Sequence, residues 1–514
     1  MNKSSLLRSI VLILAVSIVY LATVPGNQSE AEDAFWYALV AENSEAHWAH
    51  VHHMLYFPTI RTINNAMMLF GASGRAYPYL VLFHIVVGVC TVFIFYMFLK
   101  ERMNISEFSA FAGSLLLAFS YGFWRYSVEV EIPVWASFVS IVLLYLGFCE
   151  RYTLPRAFGL GAVAALAILF HGLNALLACT IIPVRLLVRS TIWHPVVYAV
   201  GAALVLISVY GAAFLSPEGL SIKGVLQRGT FLDPVYLLKG VIGFGQATIS
   251  GNFLWGSAWF AERLQSLFVS LTMTEEIYMG AAAPKWLFYS SVISFLLMCM
   301  SSLWLVIERL RSHGKIAQNR DVIYIAVWCV IYVIFLCWFE GGNPELVVPA
   351  LIPIWTLVSV FIIDVLYKNG KKIPCVAVVL FLFLHNLVGG FAWIWSEDGN
   401  YYHARSAWLL ENVGDNDLIV AADKKGFTRY LRYWSDSDIV NVYNFSDGEF
   451  QAIEDKIAGW KGNVYVLEET IERPKYLCSG GTAFCDRLSA FAERLEPHLA
   501  EVANAGLSTV YKIK

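Results

Sequence analysis

The sequence predicts an α-helical polytopic membrane protein with about eleven transmembrane helices and a small C-terminal α/β soluble domain. Three observations lead there. Hydrophobic residues make up 58% of the 514 and charged residues only 15%, where a soluble chain carries roughly 45–50% and about 25%. Apolar runs of spanning length recur through residues 1–395, and from residue 396 the composition turns polar.

The apolar runs fall at 6–24, 79–99, 107–124, 132–149, 155–170, 172–188, 193–214, 286–308, 321–339, 346–366 and 374–395. Each approaches the roughly 20 residues that a helix needs to cross a bilayer. The first follows Lys3 and Arg8 and lacks a clean A-x-A cleavage site, so it reads as a retained helix. Arg156 and Arg189 both need the same face, and two short helices turning at His171-Gly172 satisfy them. Taken at alternate ends, Lys3/Arg8, Lys100/Arg102, Arg151/Arg156, Arg185/Arg189, Arg309/Arg311/Lys315/Arg320 and Lys368/Lys371/Lys372 then share one side, the cytoplasm. The expected location is the inner (plasma) membrane, with a cytoplasmic N-terminus. The loops 25–78, 125–131 and 215–285, the turn 340–345 and the domain 396–514 fall on the outer, periplasmic side.

In that domain, strands at 418–422, 439–443 and 464–467 alternate with helical stretches near 402–413, 425–434, 447–459 and 484–500. Such alternation predicts a mainly parallel sheet. No G-x-G-x-x-G or P-loop occurs, so nucleotide binding has no support; the domain reads as a cap over the membrane site or a docking module. A net charge of -3 without a basic block excludes a nucleic-acid partner. Seven cysteines lie in or beside apolar spans as small buried hydrophobes. Cys478 and Cys485 sit in the polar region, where an oxidising compartment lets them close a short disulfide loop or leaves two thiols.

The unusual chemistry lies on the outer side. Residues 29–43 read as an amphipathic interfacial helix, with Phe35, Leu39 and Glu42 set against Asp33, Tyr37 and Ala41. Glu32 and Asp33 point about 100° apart on such a helix: one faces a site, or both are solvated at a helix N-terminus. Glu129 and Glu131 stand where the fourth helix enters the membrane, a costly depth for acids unless they are paired, as with Arg125, or face a wet cavity. His47, His50, His52 and His53 crowd one segment, and His47 and His50 share a helical face. They fit a divalent metal completed by Asp33 or Glu131, or a phosphate headgroup. The outer cations Arg61, Arg75, Arg125, Lys223, Arg228, Lys239, Arg263 and Lys285 suit a lipid with a phosphate head, although some also serve as interfacial anchors.

This pattern resembles the GT-C class of integral-membrane glycosyltransferases, of the protein mannosyltransferase and aminoarabinose transferase kind. The residues that carry the likeness are Glu32-Asp33-Ala34-Phe35-Trp36-Tyr37, His52-His53-Met54-Leu55-Tyr56-Phe57-Pro58, Phe123-Trp124 with Val130-Glu131-Ile132-Pro133-Val134-Trp135, and Gly159 with Leu169-Phe170-His171. The resemblance implies sugar transfer on the outer face from a polyprenyl-phosphate lipid to an acceptor hydroxyl or amine on a protein, glycan or lipid. It implies Asp33, with Glu32 adjacent, as the base or a metal ligand, and Glu131 as the second acid. Arg61, Arg125, His53, Arg228 and Lys239 are then candidates for the donor phosphate. The chain departs from the family pattern in lacking a clear D-x-D and in carrying Pro133 where an aromatic is common. The expectation is that Glu32, Asp33, Glu131 and the histidines meet in one outer cavity. The competing class is a secondary transporter or flippase, which calls for internal repeats and ionisable residues at mid-membrane; no convincing repeat and few such residues are found. A lipid-linked glycan polymerase or ligase of another architecture, or an inactive scaffold, is a third reading.

Overall fold

A helix stands in every one of the eleven apolar runs. The structure, a computed structural model, describes residues 3–29, 33–43, 52–214, 234–267, 274–312, 320–339, 342–423, 426–443, 445–472, 483–504 and 507–514. Among these, seven helices are long and apolar enough to cross a membrane, and an eighth span arises if the bent pair Tyr121–Ser127 and Ile132–Gly147, at 106°, counts as one. The apolar helices Leu6–Ala22, Glu107–Phe119 and Leu154–Phe170 are shorter. The protein is therefore a mostly helical, multi-pass membrane protein. The expected single helix over 107–124 is two: Ser120 takes an extended conformation (φ -64°, ψ 129°), closing Glu107–Phe119 and opening Tyr121–Ser127.

The chain divides into two compact units. The first holds Met1–Val24, Val40–Gly251 and Tyr289–Phe391, and the second holds Pro25–Leu39, Asn252–Phe288 and Ala392–Lys514.

In the first unit several residues of the basic clusters form ion pairs between helices. Arg8 and Lys100 bond Glu107 at 2.6 and 3.4 Å. The neighbouring Ser106 amide donates to Asp364 (2.9 Å), which pairs with Lys368. Lys371 reaches Glu308 (3.4 Å), and Arg185 and Arg189 grip Asp321 at 2.9 and 3.2 Å. These links tie helix ends to one another. Helices Leu154–Phe170 and Trp193–Phe214 pack through glycines. A Cβ on Gly161 would lie 2.0 Å from the Tyr198 carbonyl oxygen, so only a residue without one allows this approach.

In the second unit a five-stranded sheet runs in the order β2-β1-β3-β5-β4, with β1 Leu418–Ala421, β2 Asp438–Asn441, β3 Val464–Leu467, β4 Leu499–Asn504 and β5 Thr509–Ile513. β1 pairs in parallel with β2 and β3, whereas β3/β5 and β4/β5 are antiparallel. The expected mainly parallel sheet is thus mixed. The expected helix over 484–500 ends at Leu495, and Leu499 opens a strand. Both faces of β1 are covered, which its uninterrupted apolar run anticipates. Leu418, Val420, Val466, Phe450, Leu488 and Phe491 share one core.

The first-loop segment is part of this unit. The Gly26 and Asn27 amides donate to the Trp395 and Ile394 carbonyls at 3.1 and 2.9 Å, and the Asn27 side chain donates to the Gly399 carbonyl at 2.8 Å. A Cβ on Gly26 would meet the Trp395 oxygen at 2.4 Å. The helix that follows, Ala34–Glu42, buries Ala34, Phe35, Tyr37, Ala38, Val40 and Ala41. These positions surround the helix, so the expected amphipathic helix with a polar face is replaced by one covered on both sides.

Candidate active site

Two groups of carboxylates carry the chemistry, one in each unit. In the first unit the sharp turn between Tyr121–Ser127 and Ile132–Gly147 gathers three acids. Arg125, 4% exposed, donates from Nε and Nη2 to one oxygen of Glu129 at 3.1 and 2.9 Å and from Nη1 to the Tyr121 hydroxyl at 3.2 Å. Glu129 is fully buried. The Glu131 amide donates to the Glu129 carbonyl (3.0 Å), a tight turn that leaves Glu131 as the N-cap of Ile132–Gly147. Its buried carboxyl is held well above the usual carboxylate range by desolvation, then by the like charges of Glu345 and Glu129, against the pull of Arg125. Glu345 stands at the start of Pro344–Val347, where Asn343 accepts from its amide at 3.0 Å.

Tyr56 lies within electrostatic reach of Glu131. Desolvation and then the charge of Glu131 raise the Tyr56 hydroxyl. That hydroxyl bonds His84 Nε2 at 3.1 Å, and His84 Nδ1 bonds the Leu80 carbonyl at 2.7 Å. The Leu55 amide donates to the Leu169 carbonyl (3.0 Å) and the Gly172 amide to the His52 carbonyl (3.2 Å), which zips the segment before Tyr56 onto the turn at His171. The His53 and His171 rings consequently lie 4.9 Å apart. Burial, then His52, holds His171 down at about 4, so the ring is neutral at pH 7 and its Nδ1 accepts from the Leu173 amide at 3.2 Å.

An acid whose folded pKa is raised contributes stability that is present below its unfolded pKa and lost as pH rises through the folded value. Glu131→Gln is therefore expected to match wild type near pH 4.5 and to melt at a higher temperature at pH 8, in detergent melts across that range. Equal melting temperatures at pH 8 would show that Glu131 is not penalised there.

The other expected first-unit residues are occupied as follows. Arg61 donates to the Val40 carbonyl (3.2 Å) and the Asn43 carbonyl (3.1 Å), closing the end of Ala34–Glu42. Lys239 sits half-buried on Pro234–Thr248, its stem against Gly342. Arg228, Glu32, His47, His50 and Cys478 lie outside the described residues; Cys485 is disulfide-bonded. Among the described residues no three His, Cys, Asp or Glu side chains group to hold a metal ion. A wholly apolar groove of about 300 Å³ runs between Glu107–Phe119 and Lys372–Asn386, lined by residues that include Phe111, Leu115, Val379 and Phe383. Phe383 stacks on Trp124, the residue before Arg125.

In the second unit Asp33 is ion-paired through Oδ1 with Arg429, and its Oδ2 lies 3.4 Å from the Tyr37 hydroxyl. Asp33 and Glu131 thus belong to different units. The sheet offers a topological switch point at the carboxyl ends of β1 and β3, the usual ligand crevice of such sheets. Here Arg405 occupies it, ion-paired with Glu469 and 4.0 Å over the Phe427 ring. Thr470 caps the Val420 carbonyl at 3.5 Å, and the Asp423 carboxylate accepts from the Thr428 amide at 3.2 Å. Burial raises the Glu469 carboxyl while Arg405 draws it down.

Sequence reasoning missed Glu345, His84 and Arg429. Tyr56 lay inside the quoted His52–Pro58 motif without a role. The Asn343-Pro344-Glu345 start signal marked the first of these positions, whereas nothing in the local sequence distinguishes Arg429 from any basic residue on a domain helix.

No protein-family model and no curated protein sequence matches the chain. Its fold is similar to that of ArnT from Cupriavidus metallidurans bound to undecaprenyl phosphate, at 12% identity and a TM-score of 0.56 over 98% of this chain and 97% of that one. The apo ArnT structure gives 13% and 0.52 over the same shares. The Archaeoglobus fulgidus oligosaccharyltransferase in complex with zinc and sulfate gives 11% and 0.50, over 94% of this chain and 71% of that one. At these identities the likeness is one of fold alone.

Proposed function

We propose that this protein is a membrane glycosyltransferase that moves a sugar from a polyprenyl-phosphate donor to an acceptor hydroxyl or amine on the outer face of the membrane. The observation that carries the reading is the end-to-end GT-C-like fold, shared with a structure bound to undecaprenyl phosphate. The apolar groove beside Phe383 suits a prenyl chain, and buried acids kept at a cost in stability are a mark of function. In this reading the chain crosses the membrane about eleven times, with its N-terminus in the cytoplasm and residues 396–514 outside.

The reaction needs a base and a neutralised leaving group. Asp33, or Glu32 beside it, takes the acceptor proton as the acceptor atom bonds the anomeric carbon. The carbon–oxygen bond to the phosphate breaks, and its electron pair leaves with the polyprenyl phosphate. One displacement inverts the anomeric centre. Arg61, Arg125, His53, Arg228 and Lys239 are assigned to the phosphate, Arg61 and Arg125 through their charge because their described donors are already engaged. The candidate ligands for a divalent ion, if one is used, are Asp33, Glu131, His47 and His50.

The test is transfer by purified protein in nanodiscs, from a panel of radiolabelled undecaprenyl-phosphate monosaccharides and from the matching nucleotide sugars, with and without EDTA. Transfer from the lipid-linked donors alone, with release of undecaprenyl phosphate, is the expected result. Transfer from nucleotide sugars would sink the reading. So would movement of the intact lipid-linked sugar across sealed vesicles without bond cleavage, which favours a flippase. Loss of transfer in EDTA, restored by one cation, would assign the metal.

A further inference from the structure

Helix Gly426–Trp434 of the C-terminal region engages the first-loop segment twice. Tyr430, Tyr433 and Trp434 surround Phe35, with ring centroids at 4.9, 5.5 and 6.3 Å. One turn away Arg429 ion-pairs with Asp33, 396 residues earlier in the chain, and its guanidinium lies 5.5 Å from the Trp36 ring. The Arg429 side chain is 20% exposed and that of Asp33 is 38%. The cation is therefore the covered partner, and the carboxylate keeps an open side.

Anchoring alone does not account for this pair. Phe35 is completely buried in its aromatic socket and already fixes the segment, while a partly exposed ion pair adds little to stability. The pair does distinguish the two carboxylate oxygens: Oδ1 is tied to Arg429, and Oδ2 faces only the Tyr37 hydroxyl, 3.4 Å away, among the described contacts.

We propose that Arg429 is a positioning residue for Asp33, turning the carboxylate so that Oδ2 is the atom that receives the acceptor proton. This rests on the reading of Asp33 as the base. The described charged and titratable groups facing Asp33 are Arg429 from the C-terminal helix and Tyr37 from its own. His403 is next, 3.4 Å from the Tyr430 hydroxyl and 3.3 Å from Glu397.

The experiment is kcat and KM for wild type, Arg429→Gln, Arg429→Lys, Phe35→Leu and Asp33→Asn, with whichever undecaprenyl-phosphate monosaccharide of the panel is transferred fastest. Thermal melts of each variant serve as the folding control. Arg429→Gln is expected to lower kcat by roughly tenfold to a hundredfold, the cost of a misplaced catalytic group, with KM for the lipid donor and the melting temperature unchanged. Arg429→Lys is expected to regain part of the loss, because it keeps the charge without the planar fork. Phe35→Leu loosens the segment without altering charge, and is expected to lower the melting temperature. If Arg429→Gln does not fold, the Lys variant carries the test: a kcat equal to wild type overturns the proposal. An unchanged kcat in Arg429→Gln overturns it as well, leaving a structural contact. Full transfer by Asp33→Asn sinks the base assignment itself, a result separate from either.

Discussion

Asp33→Asn is expected to reduce sugar transfer by roughly 10² to 10⁴ while leaving expression and donor binding intact, the usual range for losing a general base. The loss corresponds to about 3–5 kcal/mol of transition-state stabilisation. An asparagine side-chain oxygen still accepts a hydrogen bond from Arg429, and its amide reaches Tyr37 where Oδ2 does now. The side chain therefore keeps its place but cannot take a proton. Glu32→Gln is expected to cost far less if Glu32 is the solvated neighbour. Initial rates with a saturating lipid donor, beside undecaprenyl phosphate affinity for each variant, separate chemistry from binding. An inactive Glu32 variant beside an active Asp33→Asn would move the base back one residue. Two active variants would remove the first-loop acids from the reaction.

The membrane helices were legible because lipid leaves backbone polar groups no partner but their own helix, so each spanning segment must be apolar over most of its length. The break at Ser120 was not legible, since a single extended residue leaves the composition of 107–124 unchanged. In the C-terminal domain β1 to β3 stand out as short β-branched runs. The hairpin β4–β5 does not: Leu499–Asn504 has an ordinary composition that reads as a continuation of Ala483–Leu495, and only Pro497 signals the stop. Glu129, Glu131 and Arg125 were flagged because charge at that depth needs a reason. The expected pairing of Arg125 with one of the two glutamates goes to Glu129, four residues on. Arg429 could not be flagged. Its partner is 396 residues distant, and long-range pairing leaves no local trace in a single sequence. The burial of Ala34–Glu42 on both sides was hidden for a related reason. Asp33, Tyr37 and Ala41 look polar or neutral on a helical wheel, but Tyr37 and Ala41 lie at 5% and 2% exposure once folded.

Arg125→Met is expected to destabilise the protein by about 3–5 kcal/mol, the cost of stranding one partner of a buried ion pair. Arg125 and Glu129 side chains are 5% and 1% exposed, so water cannot replace the lost bonds at 3.1 and 2.9 Å. The penalty is compounded by charge of one sign. Arg125 counters Glu129 and Glu345 in the surroundings of Glu131, and its removal leaves their like charges less offset. The double variant Arg125→Met/Glu129→Leu should regain most of the loss, because replacing a whole buried pair with apolar side chains of similar volume is often neutral or stabilising. Detergent melts followed by size-exclusion recovery measure all three chains. A single variant within about 1 kcal/mol of wild type, the worth of an exposed pair, would show that water reaches this turn and that its acids are not truly buried. The double variant also isolates the role of Arg125 toward the donor. If it folds like wild type yet binds undecaprenyl phosphate at least tenfold more weakly, the guanidinium supplies charge to the lipid phosphate; unchanged affinity would confine Arg125 to holding Glu129 and leave the phosphate to Arg61, His53, Arg228 and Lys239.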